Sequence, residues 1–177
     1  MKYCSNCGLP LVYRIPEGDD RPRFVCEACK TIHYENPKMV VGCIPRWEDG
    51  ILFCRRAIAP RIGKWTLPAG FLENGETVTE GAKRETLEEA RANVIGLKPY
   101  TLYNLTFINQ VYLMFRGRLA DQNFAPGSES LEVRLFKEEE IPWSEIAFPV
   151  IRESLRLYVK DLRKGVFPFH MGSITPK

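Results

Sequence analysis

The segment from Gly70 to Ala92, GFLENGETVTEGAKRETLEEARA, constrains this chain more than any other stretch. A glycine turn and a lone glutamate, Glu76, lead into a helix-forming run that carries Arg84, Glu85, Glu88 and Glu89. At 3.6 residues per turn, positions 85, 88 and 89 are i, i+3 and i+4 and share one helix face. Like charges so placed destabilise a helix by roughly 0.2 to 0.5 kcal/mol per pair. The face therefore calls for something positive among the carboxylates. A hard divalent cation, Mg²⁺ or Mn²⁺, suits carboxylate oxygens plus water and bridges to substrate phosphates. The plain alternative is a solvated acidic face laced to Lys83 and Arg84.

The 177 residues, 45% hydrophobic, suffice for one substantial core and a small second module. A net charge of +3 is too weak to imply nucleic-acid binding by electrostatics. The N-terminal MKYCSNCGLP lacks the apolar run of a secretory signal, and no window approaches a membrane span. The expectation is a cytoplasmic protein without a membrane partner.

Four of the six cysteines fall as Cys4-x2-Cys7 and Cys26-x2-Cys29 with 18 residues between the pairs, the spacing of a zinc site. Each pair aims two thiolates at one centre, and two pairs fill the tetrahedral shell of a structural Zn²⁺. So short a segment cannot build a sufficient core, so metal binding would supply much of its folding free energy. His33 is read as structural because the cysteines already complete the shell. Cys43 and Cys54 lie in the apolar runs VVGCI and ILFC and are read as small buried hydrophobes. Between the cysteine pairs, Arg14, Arg21 and Arg23 are balanced by Glu17, Asp19 and Asp20, so the ribbon is read as a scaffold or dimer contact rather than a nucleic-acid reader.

Tyr34-Glu35-Asn36-Pro37 reads as a boundary, which divides the chain into residues 1–35 and 36–177. Beyond it, KMVVGCIPRW and GILFCRRA read as strands joined by a turn at Glu48-Asp49-Gly50. LKPYTLYNLTF, QVYLMFRGRL and LEVRLF supply three more. DQNFAPGSES is a loop ending beside Glu129, and Pro149 to Gly165 is an amphipathic helix.

The order Gly70, five residues, Glu76, seven residues, Arg84-Glu85, two residues, Glu88-Glu89 resembles the Nudix hydrolase box. Two positions depart from it: Thr86 stands where an aliphatic residue is usual and Arg91 where a glycine is usual. A glycine there suits a left-handed helix end, so either the helix runs on or Arg91 carries strain. The resemblance covers roughly residues 38 to 160 and implies an α/β/α sandwich around a mixed sheet. It further implies that Glu85, Glu88 and Glu89, with the backbone at Gly70, bind Mg²⁺ or Mn²⁺, and that Arg84 and Glu76 orient them. A loop glutamate serves as general base in such enzymes, with Glu129 the first choice and Glu132 the second, the latter able to pair instead with Arg134.

The implied reaction is hydrolysis of a nucleoside diphosphate derivative, and a homodimer is implied by the resemblance alone. NADH pyrophosphatases of this kind carry a downstream SQPWPFPxS signature that is missing here. YENPKMVVGC, WTLPAGFLENGET, FAPGSESLEVRLF and FHMGSI are closer to the FAD and ADP-ribose pyrophosphatase type. Cleavage of FAD to FMN and AMP, or of ADP-ribose to AMP and ribose 5-phosphate, is therefore the first expectation. NADH hydrolysis is the alternative within the family, and a non-catalytic Nudix-like sensor contacting nucleic acid is the alternative outside it. The partner expected is a small dinucleotide rather than nucleic acid. Tyr103, Phe107, Tyr112 and Phe124 are aromatics that could stack on a base, with core packing as their ordinary role.

Overall fold

The computed structural model describes residues 1–176 and resolves them into two compact units that divide between Asn36 and Pro37. The first holds a three-stranded antiparallel sheet of β1 (Val12–Arg14), β2 (Arg23–Val25) and β3 (Ile32–His33). Gly8 and Lys30, each following the second cysteine of its pair, adopt left-handed backbone with φ of 75° and 62°. These turns fold the cysteine loops back, and the four sulfur atoms lie within 4.8 Å of one another.

The second unit is built on a mixed sheet. Its long strands are β4 (Lys38–Trp47), β5 (Gly50–Arg56), β8 (Val94–Leu105), β9 (Gln110–Leu119) and β10 (Ser130–Phe136). Short β6 (Trp65–Thr66), β7 (Ala69–Phe71) and β11 (His170–Ser173) complete it, in the order β10-β5-β4-β9-β8-β11 with β6 against β5 and β7 against β4. The β4–β9 and β8–β11 pairs are parallel, whereas β4 with β5 and β8 with β9 are antiparallel.

Both sheet faces are buried, as the unbroken apolar run of β4 requires, and successive side chains go to opposite sides. Val41, Cys43, Leu52, Cys54, Leu113 and Phe115 form one core with Ala82 and Ala90 of α1 (Val78–Ala90). Ile44, Ile51, Phe53 and Met114 form the other with Val150, Ile151, Leu155 and Tyr158 of α2 (Pro149–Lys164). The molecule thus has the α/β/α sandwich expected from its sequence. No helix among the described residues is long and apolar enough to cross a membrane.

Helix α1 begins in a capping box. Thr77 Oγ1 accepts from Glu80 N–H at 3.2 Å and the Glu80 carboxylate accepts from Thr77 N–H at 2.8 Å, a device that contributes on the order of 1 kcal/mol. The helix stops at Ala90, because Arg91 takes the left-handed conformation at φ 48° and ψ 29°. Of the two outcomes open at Arg91, the strained residue is the one realised. Thr86, fully buried, meets its polarity locally: its hydroxyl donates to Ala82 O at 2.8 Å and lies 3.0 Å from Cys43 Sγ.

Candidate active site

The buried face of α1 carries Gly81, Ala82, Glu85, Thr86, Glu89 and Ala90. Small residues let the helix approach the sheet, and that approach draws two carboxylates into the protein. Glu85 is 8% exposed and Glu89 6%, whereas Glu88 stays in solvent. Arg84 gathers the group. It grips Glu76 bidentately through Nε and Nη2 at 3.0 and 2.8 Å, and also donates from Nη1 to Glu85 at 2.7 Å and Glu88 at 3.1 Å and from Nη2 to Phe71 O at 3.0 Å. Bidentate contact with Arg84 holds the Glu76 carboxyl down to about 2, aided by the Glu73 N–H.

Glu89 has no such partner. Its Oε2 is buried without a hydrogen bond among the described residues. Burial first and the neighbouring Glu85 charge second push its carboxyl up to about 8, against the opposing pull of Arg56 and the Ala69 N–H. Burial also raises Glu85, with the Arg84 contacts opposing it. Beside them runs the Gly70 backbone, where a Cβ would fall on the Glu85 carboxylate. Three carboxylates, one orphaned oxygen and a backbone cradle open only to glycine form a hard-oxygen donor set that fits a divalent cation.

This cluster floors a cavity of about 1290 Å³. The sequence-predicted Arg84, Glu85, Glu88, Glu89, Gly70 and Glu129 all line it, as do Tyr103, Phe107 and Tyr112. Glu76 stands behind Arg84, and Phe124 packs into the core under α1. Glu129 is held at the rim by a loop locked onto the helix end. Ala125 N–H donates to Ala90 O at 2.9 Å, Gly127 N–H to Glu89 O at 3.0 Å, and Ala57 N–H to Glu129 O at 2.8 Å. Gly127 is needed for the approach, since a Cβ there would collide with the Glu88 carbonyl.

Glu132 is not among the lining residues. It lies opposite Arg55 in the β10–β5 register and pairs with that residue at 3.6 Å, not with Arg134, whose guanidinium covers the Phe136 ring. The register decides the partner: Arg55 comes from the adjoining strand, while Arg134 is on the same one.

Sequence reading missed the cationic side of the cavity. Arg56 stacks on the Phe148 ring at 5.0 Å and donates to Pro60 O at 2.8 Å, yet makes no ion pair among the described residues. Arg152, from the first turns of α2, also lines the cavity with its Nε buried and unpartnered. The unbalanced Arg55-Arg56 pair ending a strand was the only sequence signal for this wall.

In the N-terminal unit, Cys4 and Cys26 are buried, Cys29 is partly so and Cys7 is exposed. Asn6 N–H lies 3.4 Å from Cys4 Sγ, and His33 Nε2 lies 3.3 Å from the same sulfur. His33 thus backs a cysteine, consistent with a structural role. Four thiols in van der Waals reach fit zinc. Cys43 and Cys54 are buried in the core beside α1, as small hydrophobes are, and burial pushes the Cys43 thiol up to about 12 and raises Cys54 as well.

A family model of the Nudix N-terminal zinc ribbon matches residues 2–35, and the NUDIX domain model matches residues 36–157. A crystallographic NUDIX hydrolase from Nitrosomonas europaea is 56% identical and superposes with a TM-score of 0.96 over 99% of this chain and 100% of that one. An ADP-ribose pyrophosphatase from Streptococcus suis, 21% identical, shares the fold with a TM-score of 0.64 over 77% of this chain and 99% of its own. NAD-capped RNA hydrolases NudC from Photobacterium profundum and Stutzerimonas stutzeri are each 27% identical, over 79% and 91% of this chain. The chain spans only 51% and 55% of those two proteins, about half their length. Because the domain match runs through every residue that gathers the carboxylates at the cavity floor, the chain belongs to the Nudix hydrolase family.

Proposed function

We propose that this chain is a Mg²⁺- or Mn²⁺-dependent pyrophosphatase that cleaves FAD to FMN and AMP, or ADP-ribose to AMP and ribose 5-phosphate. The observation that carries the reading is the buried, unpartnered Oε2 of Glu89 within a carboxylate cluster that Arg84 organises. A burial so costly to an anion persists in a folded enzyme when a cation completes it. Glu85, Glu88 and Glu89, with the Gly70 carbonyl, would hold the ion. Bound there, it would neutralise non-bridging phosphate oxygens and lower the pKa of a coordinated water.

The chain's own groups do the rest. Arg84, fixed by Glu76, keeps Glu85 and Glu88 aimed at one point. Glu129, exposed at the rim on a loop tied to α1, accepts the proton of the attacking water as oxygen bonds to phosphorus and the phosphoanhydride bond breaks. Arg56 and Arg152 line the same cavity as the cluster and offer positive charge to phosphate oxygens not engaged by metal. Tyr103, Phe107 and Tyr112 offer ring faces for a base. The cysteine cluster holds a structural zinc, residues 1–35 act as a scaffold module, and residues 36–177 form the hydrolase domain.

A second reading, NADH or an NAD-capped RNA as substrate, is favoured by the similarity to the NudC proteins. Assaying FAD, ADP-ribose, NADH and an NAD-capped RNA with Mg²⁺ and Mn²⁺ separates the two. Preferential release of AMP from FAD or ADP-ribose supports the first. Preference for NADH or the capped RNA supports the second, and no hydrolysis of any of them contradicts both.

A further inference from the structure

One buried polar cluster takes no part in the chemistry above. Asp161, on the last turn of α2 and 4% exposed, accepts a hydrogen bond from the fully buried Tyr100 hydroxyl at 2.8 Å. His170 Nε2 meets the same Asp161 oxygen at 2.6 Å, and the His170 ring stands edge-on to Tyr100 at 5.3 Å between centroids. Strand β8 and the two consecutive elements α2 and β11, which lie about sixty residues further along the chain, converge on one carboxylate oxygen. A buried acidic group satisfied in this way is costly to build, and removing one partner leaves the others in deficit.

The cluster sits where β11 begins. This strand runs parallel to the edge of β8, pairing His170 with Thr101, Met171 with Leu102, Gly172 with Tyr103 and Ser173 with Asn104. Only a few bonds continue the attachment, from Ile174 N–H to Asn104 O at 2.9 Å and from Asn104 Nδ2 to Gly172 O at 3.3 Å. Gly172 lies so near the Tyr103 ring that a Cβ would approach it to 2.9 Å. Beyond His170, the residues Met171 to Pro176 line the cavity. Four paired residues at a sheet edge are a weak hold for a cavity wall. The Tyr100–Asp161–His170 cluster pins the start of the strand, while Phe167 before it and Ile174 after it pack against the same core.

We propose that Tyr100, Asp161 and His170 are positioning residues that hold the C-terminal strand as a specificity wall of the active-site cavity. The wall would receive the organic group of the substrate remote from the phosphorus attacked. This inference rests on the phosphoanhydride-hydrolase reading, which supplies the substrate. None of the three side chains is in the carboxylate cluster, so they act through β11 and not on the reacting atoms.

The test is steady-state kinetics of the full chain with FAD and with ADP-ribose, comparing wild type, His170→Ala and His170→Gln. A glutamine amide can still donate to Asp161. Loosening the wall removes binding without touching the reacting groups, so His170→Ala should raise KM about tenfold with kcat within about twofold of wild type. His170→Gln should recover most of the loss. Hydrogen exchange gives a readout independent of turnover: ADP-ribose should slow exchange at residues 170–174 in wild type and less so in His170→Ala. An unchanged KM with unchanged exchange in His170→Ala overturns the proposal, as does a fall in kcat alone or an equal loss in His170→Gln. Wild-type protein that hydrolyses neither compound removes the functional reading instead, a result distinct from a variant that fails to differ from an active wild type.

Discussion

Replacing Glu89 with Gln separates the energetic burden of the site from its chemistry. In the absence of divalent ions, burial lifts the Glu89 carboxyl from an ordinary 4.5 to about 8. The unfolded chain therefore releases this proton at lower pH than the folded one, and ionisation favours unfolding. The sign is the reverse of a salt-bridged carboxylate: there is no penalty below about pH 4.5, a growing one as pH rises toward 8, and a constant one above. At about 1.4 kcal/mol per pH unit, the wild type carries a penalty of about 3 kcal/mol at pH 7. Glutamine keeps the shape without the charge. Some of the gain is returned because a buried amide also lacks full hydrogen bonding, so Glu89→Gln should be more stable than wild type by about 1 to 3 kcal/mol at pH 7. The assay is urea unfolding of both proteins between pH 5 and 8, with and without Mg²⁺. The gap should close at pH 5 and shrink when Mg²⁺ stabilises the wild type, while the variant loses metal-dependent turnover by orders of magnitude. A variant no more stable than wild type at pH 7 and equally stable at pH 5 would refute the reasoning, as would retained activity.

Four further substitutions probe neighbouring features. Arg91→Gly should stabilise the protein by about 0.5 to 1 kcal/mol in thermal unfolding, because relief of left-handed strain exceeds the added flexibility of the unfolded chain. Glu129→Gln should lower kcat by about 100-fold or more at unchanged stability, whereas Glu132→Gln, at an exposed pair with Arg55, should leave turnover near wild type. Gly127→Ala should destabilise by about 1 to 3 kcal/mol through its collision with the helix end and should depress kcat, since the same loop carries Glu129.

The carboxylate cluster was legible because its geometry is local. Positions 85, 88 and 89 are neighbours on any helix. The five long strands were legible from their β-branched and aromatic runs, and the four-cysteine cluster from cysteine spacing alone. What escaped was made by pairing between distant segments. Strands β6 and β7 span two and three residues, too few to show alternation. Strand β11 reads HMGS, with no β-branched residue, and is extended only because the β8 edge offers partners. Arg56 and Arg152 are nearly a hundred positions apart, and Phe148 and the sheet bring them to one cavity. Glu132 illustrates the converse: a neighbour in sequence, Arg134, suggested a partner that strand register replaced with Arg55.

The most direct measurement is a crystal of the full chain grown with Mn²⁺ and a non-hydrolysable dinucleotide analogue, with data collected at the manganese absorption edge. The account predicts anomalous density between Glu85, Glu88 and Glu89, beside the Gly70 carbonyl and within bonding distance of a phosphate oxygen. Density at another place, with those three carboxylates free and the analogue bound away from them, would contradict it.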